Sequence, residues 1–217
     1  MDTRETTKEL LLLCSQKFYD IEGTQVADQA VKMVFHRWPE NTRQEQVLTK
    51  VVVLNSLYNT ALYDVHAMAE HVVNQRVDLK FSQRDPTVVG DIRKGHRIRR
   101  GKTNKEWDFY SFATKYCHWH FRSNYVMYDT KLDRALRELN KLLGFCSRLS
   151  YERLRQYPTL KEAIDNLAAT LTLTSWDYKT IDQALWVYGK YLNNALPDRV
   201  KTALDERGFE KIARAST

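Results

Sequence analysis

Apolar residues recur at steps of three and four through most of the chain, the spacing of helices that each bury one face. From Thr3 to about Tyr19 they gather around Leu10-Leu11-Leu12-Leu13, with Thr7 as a candidate cap and Gly23 as the first break. Val26, Ala30, Val31, Val34 and Phe35 predict a second helix over 24–36, stopped by Trp38-Pro39. Asn41-Thr42 offers an N-cap for a third, which runs through Val47, Leu48, Val51, Val52, Val53 and Leu54. Leu54-Asn55-Ser56-Leu57-Tyr58-Asn59-Thr60 then breaks the apolar run with small amide and hydroxyl side chains. Periodicity resumes at Ala61, Val65, Met68, Ala69 and Val72. Such a stretch serves either as a helix corner capped by Asn59 or Thr60, or as a place where polar side chains face a ligand.

Between 78 and 105 the periodicity fails. An aromatic-rich helix is expected over 107–121, then a short extended segment, Tyr125-Val126-Met127-Tyr128. Asp129 stands as N-cap of a helix running through Leu132, Ala135, Leu136, Leu139 and Leu142-Leu143 to Gly144. Further helices are expected over 151–157, 160–172 and 181–196, with a charged, peripheral tail after Pro197.

Seven Gly and four Pro among 217 residues leave little turn material for a many-stranded sheet, so the class is all-α. The length suits one domain, or one compact unit with two lobes. Lys plus Arg number 34 against 27 Asp plus Glu, a net charge of +7, which favours a polyanionic partner. The excess concentrates in Arg93, Lys94, His96, Arg97, Arg99, Arg100, Lys102 and Lys105, interleaved with Gly90, Gly95 and Gly101, where Asp91 is the one nearby acid. Glycines let backbone amides approach a phosphate and cations neutralise it, so phosphate contacts are expected here; a solvated loop is the plainer alternative.

Cys14, Cys117 and Cys146 form no CxxC pair, which points away from a disulfide framework and towards a reducing, cytoplasmic compartment. The short leucine run follows Arg4, Glu5, Lys8 and Glu9, unlike a signal peptide, and no stretch reaches membrane-spanning length. Cys117 and His120 share a helical face, yet two ligands do not make a site; no metal and no cofactor are expected, with Cys117 packed and both histidines of Cys117-His118-Trp119-His120 partly exposed. Nucleophile-elbow, P-loop, dinucleotide and zincin motifs are all missing.

The remaining chemistry is Lys115 in Phe112-Ala113-Thr114-Lys115-Tyr116, one turn before Trp119, followed fourteen residues later by Asp129. A lysine stripped of water by Phe112, Tyr116 and Trp119 loses affinity for its proton and gains nucleophilicity. The competing account is a lysine whose tip reaches solvent and pairs with Asp129.

Phe112-Ala113-Thr114-Lys115-Tyr116 followed by Tyr128-Asp129-Thr130-Lys131-Leu132 resembles the lysine-to-aspartate segment of the helix-hairpin-helix DNA glycosylases, in particular the 8-oxoguanine glycosylase-like branch. Leu54–Thr60 resembles that family's early helix corner, and Ile181–Lys190 a closing helix of related proteins. The family's Gly-x-Gly turn is replaced here by Ser111-Phe112-Ala113. The resemblance implies two helical lobes flanking a cleft near 54–60 and 107–132. It implies a monomer acting on double-stranded DNA with one base extruded, Tyr58 or Asn59 refilling the stack, and Asn55, Trp119 and the basic segment binding DNA. Lys115 would attack C1′ and Asp129 would stabilise charge on the sugar, giving a bifunctional glycosylase and AP lyase. The target is open between oxidised guanine in repair and a modified phage base in antiviral defence. A non-catalytic helical DNA-binding or lesion-sensing protein is the alternative.

Overall fold

The computed structural model describes residues 2–95 and 108–207, and every regular element among them is helical. The chain divides into two compact units: the first takes Met1–Thr24 and Tyr128–Thr217, the second Gln25–Met127. No helix among the described residues is long and apolar enough to cross a membrane.

The first unit is built on α11 (Tyr178–Leu192), which lies along both α1 (Thr3–Lys17) and α8 (Thr130–Leu143). Ile181, Ala184, Leu185, Val187 and Tyr188 are all buried, and a helix apolar on nearly every side belongs at a centre. The cap of α1 is Asp2, whose carboxylate accepts from Arg4 N–H, rather than Thr7. Thr7 lies inside the helix and donates its hydroxyl to Thr3 O at 2.7 Å. The described part of the stretch after Pro197 is not peripheral: α12 (Asp198–Asp205) lies against α1 with Val200 and Leu204 buried. The helix expected over 151–157 breaks into α9 (Tyr151–Leu154) and the start of α10 (Tyr157–Thr170), with Pro158 in its first turn, where its missing N–H costs nothing.

Gly189 on α11 sits directly on the first turn of α8. A Cβ built there would lie 2.1 Å from Lys131 O and 2.9 Å from Lys131 Cα. The missing side chain is what lets the two helices approach so closely.

The second unit contains α2 (Thr24–Arg37) beyond its first residue, α3 (Gln44–Tyr58), α4 (Val65–Asn74), α5 (Asp78–Ser82), α6 (Val88–Arg93) and α7 (Tyr110–His120). Both α3 and α6 pack on α7, which is buried from Tyr110 to Trp119 except at Ser111. Helix α3 starts at Gln44 with no side-chain cap, so neither Asn41 nor Thr42 serves that role. The segment without periodicity holds α5 and α6, too short to display a repeat; each has one buried stripe, Phe81 in the first and Val88, Val89 and Ile92 in the second. The expected phosphate-binding residues Arg97, Arg99, Arg100 and Lys102, with His96 and Lys105, lie outside the described residues.

Candidate functional site

Helix α7 presents two aromatic faces. Ser111, Lys115 and Trp119 lie one turn apart on one face, and Phe112, Tyr116 and His120 on the next. On the first, Lys115 is 2% exposed, and its Nζ donates to Ser111 Oγ at 2.6 Å. The ammonium lies 6.0 Å from the centroid of the Tyr58 ring. Tyr58 meets Trp119 edge-on at 6.2 Å and donates its hydroxyl to Asp28 Oδ1 at 2.8 Å. Lys115 is therefore buried against Ser111 and the Tyr58 ring, with Trp119 on its face, whereas Phe112 and Tyr116, expected to strip it of water, lie on the other face.

The neighbouring residues have defined structural tasks. Asn55 turns the corner after α3: its Nδ2 donates to Leu62 O at 2.8 Å, while its Oδ1 accepts from Thr60 Oγ1 and Leu62 N–H at 2.8 and 2.9 Å. Asn59 is the C-cap of α3 in left-handed geometry, φ 52°, a conformation asparagine tolerates. Trp119 is 5% exposed, with the Arg122 guanidinium 5.4 Å from its ring. His118 is fully buried and bonded through Nδ1 to Tyr125 O at 2.7 Å, contrary to the expected partial exposure. Arg93 is held by both oxygens of Asp108 at 2.6 Å and lies 4.5 Å from the Tyr110 ring, so its charge is balanced by an acid beyond Asp91; Lys94 is exposed.

Asp129 belongs to the first unit and caps α8, its Oδ1 accepting from Lys131 N–H at 2.8 Å. The cap fixes the direction of this carboxylate. On α11 of the same unit, Lys190 lies 4.3 Å from the Trp186 ring; burial, then the Lys131 charge, hold its pKa below the ordinary lysine value against the pull of Asp129.

The second face of α7 carries what sequence reading missed. Lys50 of α3 is fully buried, and all three of its ammonium hydrogens have acceptors: Asn41 Oδ1 at 2.7 Å, Glu40 O at 2.8 Å and Trp38 O at 3.1 Å. Asn41 in turn donates from its backbone N–H and its Nδ2 to the two oxygens of Asp78, and its Oδ1 accepts from Tyr116 Oη at 2.5 Å. His120 Nε2 lies 3.5 Å from Lys50 Nζ, its ring stacked on Phe81 at 4.6 Å and edge-on to Phe35 at 4.9 Å. The asparagine amide thus relays charge between a buried lysine and an aspartate. Lys50, with three acceptors around its nitrogen, clamps residues 38–41. The available signal was its register: Val47, Lys50, Val51 and Leu54 fall on one stripe, and a lysine on an apolar stripe demands buried acceptors.

Burial pulls the Lys50 pKa from its ordinary 10.5 down to about 7, against the pull of the Asp78 carboxylate. Burial, then the Lys50 charge, holds His120 well below 6.5, so it is a neutral ring. Burial raises Tyr116 well above 10, which keeps its hydroxyl a donor. Unfolded, Lys50 keeps its proton up to about pH 10.5; folded, it releases it above about 7. Stability therefore rises with pH across that window, by ~3–5 kcal/mol from Lys50, and falls below pH 6.5 as His120 gains a proton only in the unfolded chain. Urea unfolding from pH 6 to 10 is expected to show the rise in the native protein and its loss in Lys50→Met; an equal slope in both would contradict the assignment.

Among the described residues no three His, Cys, Asp or Glu side chains converge to hold a metal ion. No solved structure matches the chain. An uncharacterized protein of Haemophilus influenzae is 29% identical over 152 residues, covering 70% of each chain. The family model HI_0787_N, an N-terminal domain, matches residues 7–125. That span is more than half of the chain and includes Lys50, Tyr58 and all of α7, and on it the protein belongs to the HI_0787_N family.

Proposed function

We propose that the protein is a DNA glycosylase with AP-lyase activity, in which Lys115 is the nucleophile. The observation that carries this reading is a lysine on the central helix of its unit, 2% exposed, held by the Ser111 hydroxyl and bordered by the Tyr58 and Trp119 rings. In its free form this amine can add to C1′ of a deoxyribose. The base leaves, and the aminal opens to a Schiff base. Loss of a C2′ proton then expels the 3′-phosphate and nicks the strand. Asp129, in the other unit, keeps its charge-stabilising role only as what the resemblance implies. The two-lobed helix-hairpin-helix arrangement and extrusion of one base from double-stranded DNA belong to the same reading. The net charge of +7 supports a phosphate-bearing partner.

Tyr58 remains the candidate for refilling the stack. Its hydroxyl bond to Asp28 makes it a braced ring, suited to pressing against a base step. Asn55 and Asn59 act by holding the corner that carries it.

Incubation with genomic and phage DNAs, followed by mass spectrometry of released bases, tests activity and target together. Release of an oxidised purine or of a modified phage base supports excision and says which. Salt-dependent binding with no base released from any DNA would favour a non-catalytic lesion-sensing protein instead.

A further inference from the structure

The two faces of α7 are linked by the helix itself. Tyr116 follows Lys115, so the two side chains leave the axis about 100° apart. Whatever fixes the direction of Tyr116 also aims Lys115. Tyr116 is fixed from one side by its hydroxyl bond to Asn41 Oδ1 and by Phe35 edge-on at 5.2 Å. Asn41 cannot turn its amide, because Oδ1 also accepts from Lys50 while Nδ2 and the backbone N–H both donate to Asp78. Every group in this chain lies in the second unit: α3 supplies Lys50, the turn before α3 supplies Asn41, α5 supplies Asp78, and α7 supplies Tyr116.

We infer that Lys50 is a positioning residue: through Asn41 and Tyr116 it locks the rotation of α7 and so holds the Lys115 amine against Ser111 and Tyr58. The inference rests on Lys115 being the reactive amine of the proposed function. It adds a reason for a buried cation in α3 that packing alone would disfavour. An apolar residue at 50 would fill the stripe of Val47, Val51 and Leu54 without desolvating a charge. What it would not do is orient the Asn41 amide. With the amine gone, Nδ2 keeps Asp78 and Oδ1 keeps the Tyr116 hydroxyl as its one donor, so the amide is held by one bond fewer and the rotational stop on α7 is loosened.

The test is competitive reductive methylation of the full-length protein with formaldehyde and cyanoborohydride, read lysine by lysine by peptide mass spectrometry between pH 6 and 10. Tyr116→Phe removes one hydroxyl and keeps the ring; Lys50→Met removes the ammonium and keeps the length. Ile92→Ala is the control, a buried residue of α6 in the same unit that takes no part in the network. Both network variants are expected to change the Lys115 methylation rate by about threefold or more, equivalent to moving its pH midpoint by about half a unit. Ile92→Ala is expected to lower stability without moving that midpoint. Unchanged Lys115 labelling in Tyr116→Phe, or an equal change in Ile92→Ala, would overturn the inference; should Lys50→Met not fold, Tyr116→Phe decides. No DNA enters this measurement. Altered labelling without base release from any DNA would sink the excision reading alone, and base release with unaltered labelling would sink the positioning role alone.

Discussion

Lys115→Gln is expected to abolish covalent capture on DNA and to lower strand nicking by roughly 10³-fold or more, the scale seen when a nucleophile is removed. An amide nitrogen cannot form a Schiff base, so the loss follows from chemistry rather than from unfolding. Glutamine is nearly the length of lysine and still offers a donor to Ser111 Oγ, now 2.6 Å from the amine. The aromatic wall of Tyr58 and Trp119 is untouched. Most affinity for DNA comes from phosphate contacts, which this change leaves alone, so binding is expected to stay within about threefold of the native value. Gel-shift titration and borohydride capture on the same oligonucleotides separate the two effects. Base release that persists without nicking would move the chemistry to water activated near Asp129 and would make the enzyme monofunctional.

Gly189→Ala is expected to destabilise the protein by ~2 kcal/mol or more, at the upper end of overpacking effects. The added carbon would lie 2.1 Å from a carbonyl oxygen and 2.6 Å from a carbonyl carbon of Lys131. Those are backbone atoms in the first turn of a helix, and they cannot rotate aside as a long side chain would. Helix α11 has to shift off α8, and the shift reaches the turn that Asp129 caps. The same replacement at Gly90 in α6 meets nothing within 4 Å and is expected to raise stability by ~0.5 kcal/mol through helix propensity. Urea unfolding of the two variants, read side by side, distinguishes steric conflict from a general intolerance of glycine replacement.

The contrast between these sites shows what a linear reading reaches. Helix α8 was legible from end to end, because its signals are local: Asp129 caps it, Leu132, Leu136 and Leu139 repeat on one face, and Gly144 stops it at φ 65°. Burial of Lys115 was legible only in part: Trp119 shares its face, but Phe112 and Tyr116 lie on the other, and the ring beside the ammonium, Tyr58, comes from α3. The all-helical class followed from scarce glycine and proline. The two short helices in the basic segment were not legible, at five and six residues, less than two turns each. Nor was the division into two units, which joins residues 1–24 to the stretch beyond 128. The Lys50 clamp was hidden because its bonds are remote in sequence: Asn41 to Asp78 spans 37 residues and Tyr116 to Asn41 spans 75. Asn41 in particular reads as a helix cap, a local role, until Lys50 and Asp78 are seen to share its amide. Asn55 illustrates the converse. Its polar side chain in an apolar run suggests a ligand, whereas its amide is engaged by Thr60 and Leu62 within the corner itself.

The most direct test of the account is to locate the covalent bond. The full-length protein is incubated with DNA from which it releases a base, reduced with borohydride, digested with nuclease and protease, and mapped by mass spectrometry. The account predicts a single lysine bearing the reduced sugar remnant, Lys115, within the peptide of α7. A remnant on Lys50, Lys131 or Lys190, or base release with no remnant on any lysine, would contradict it.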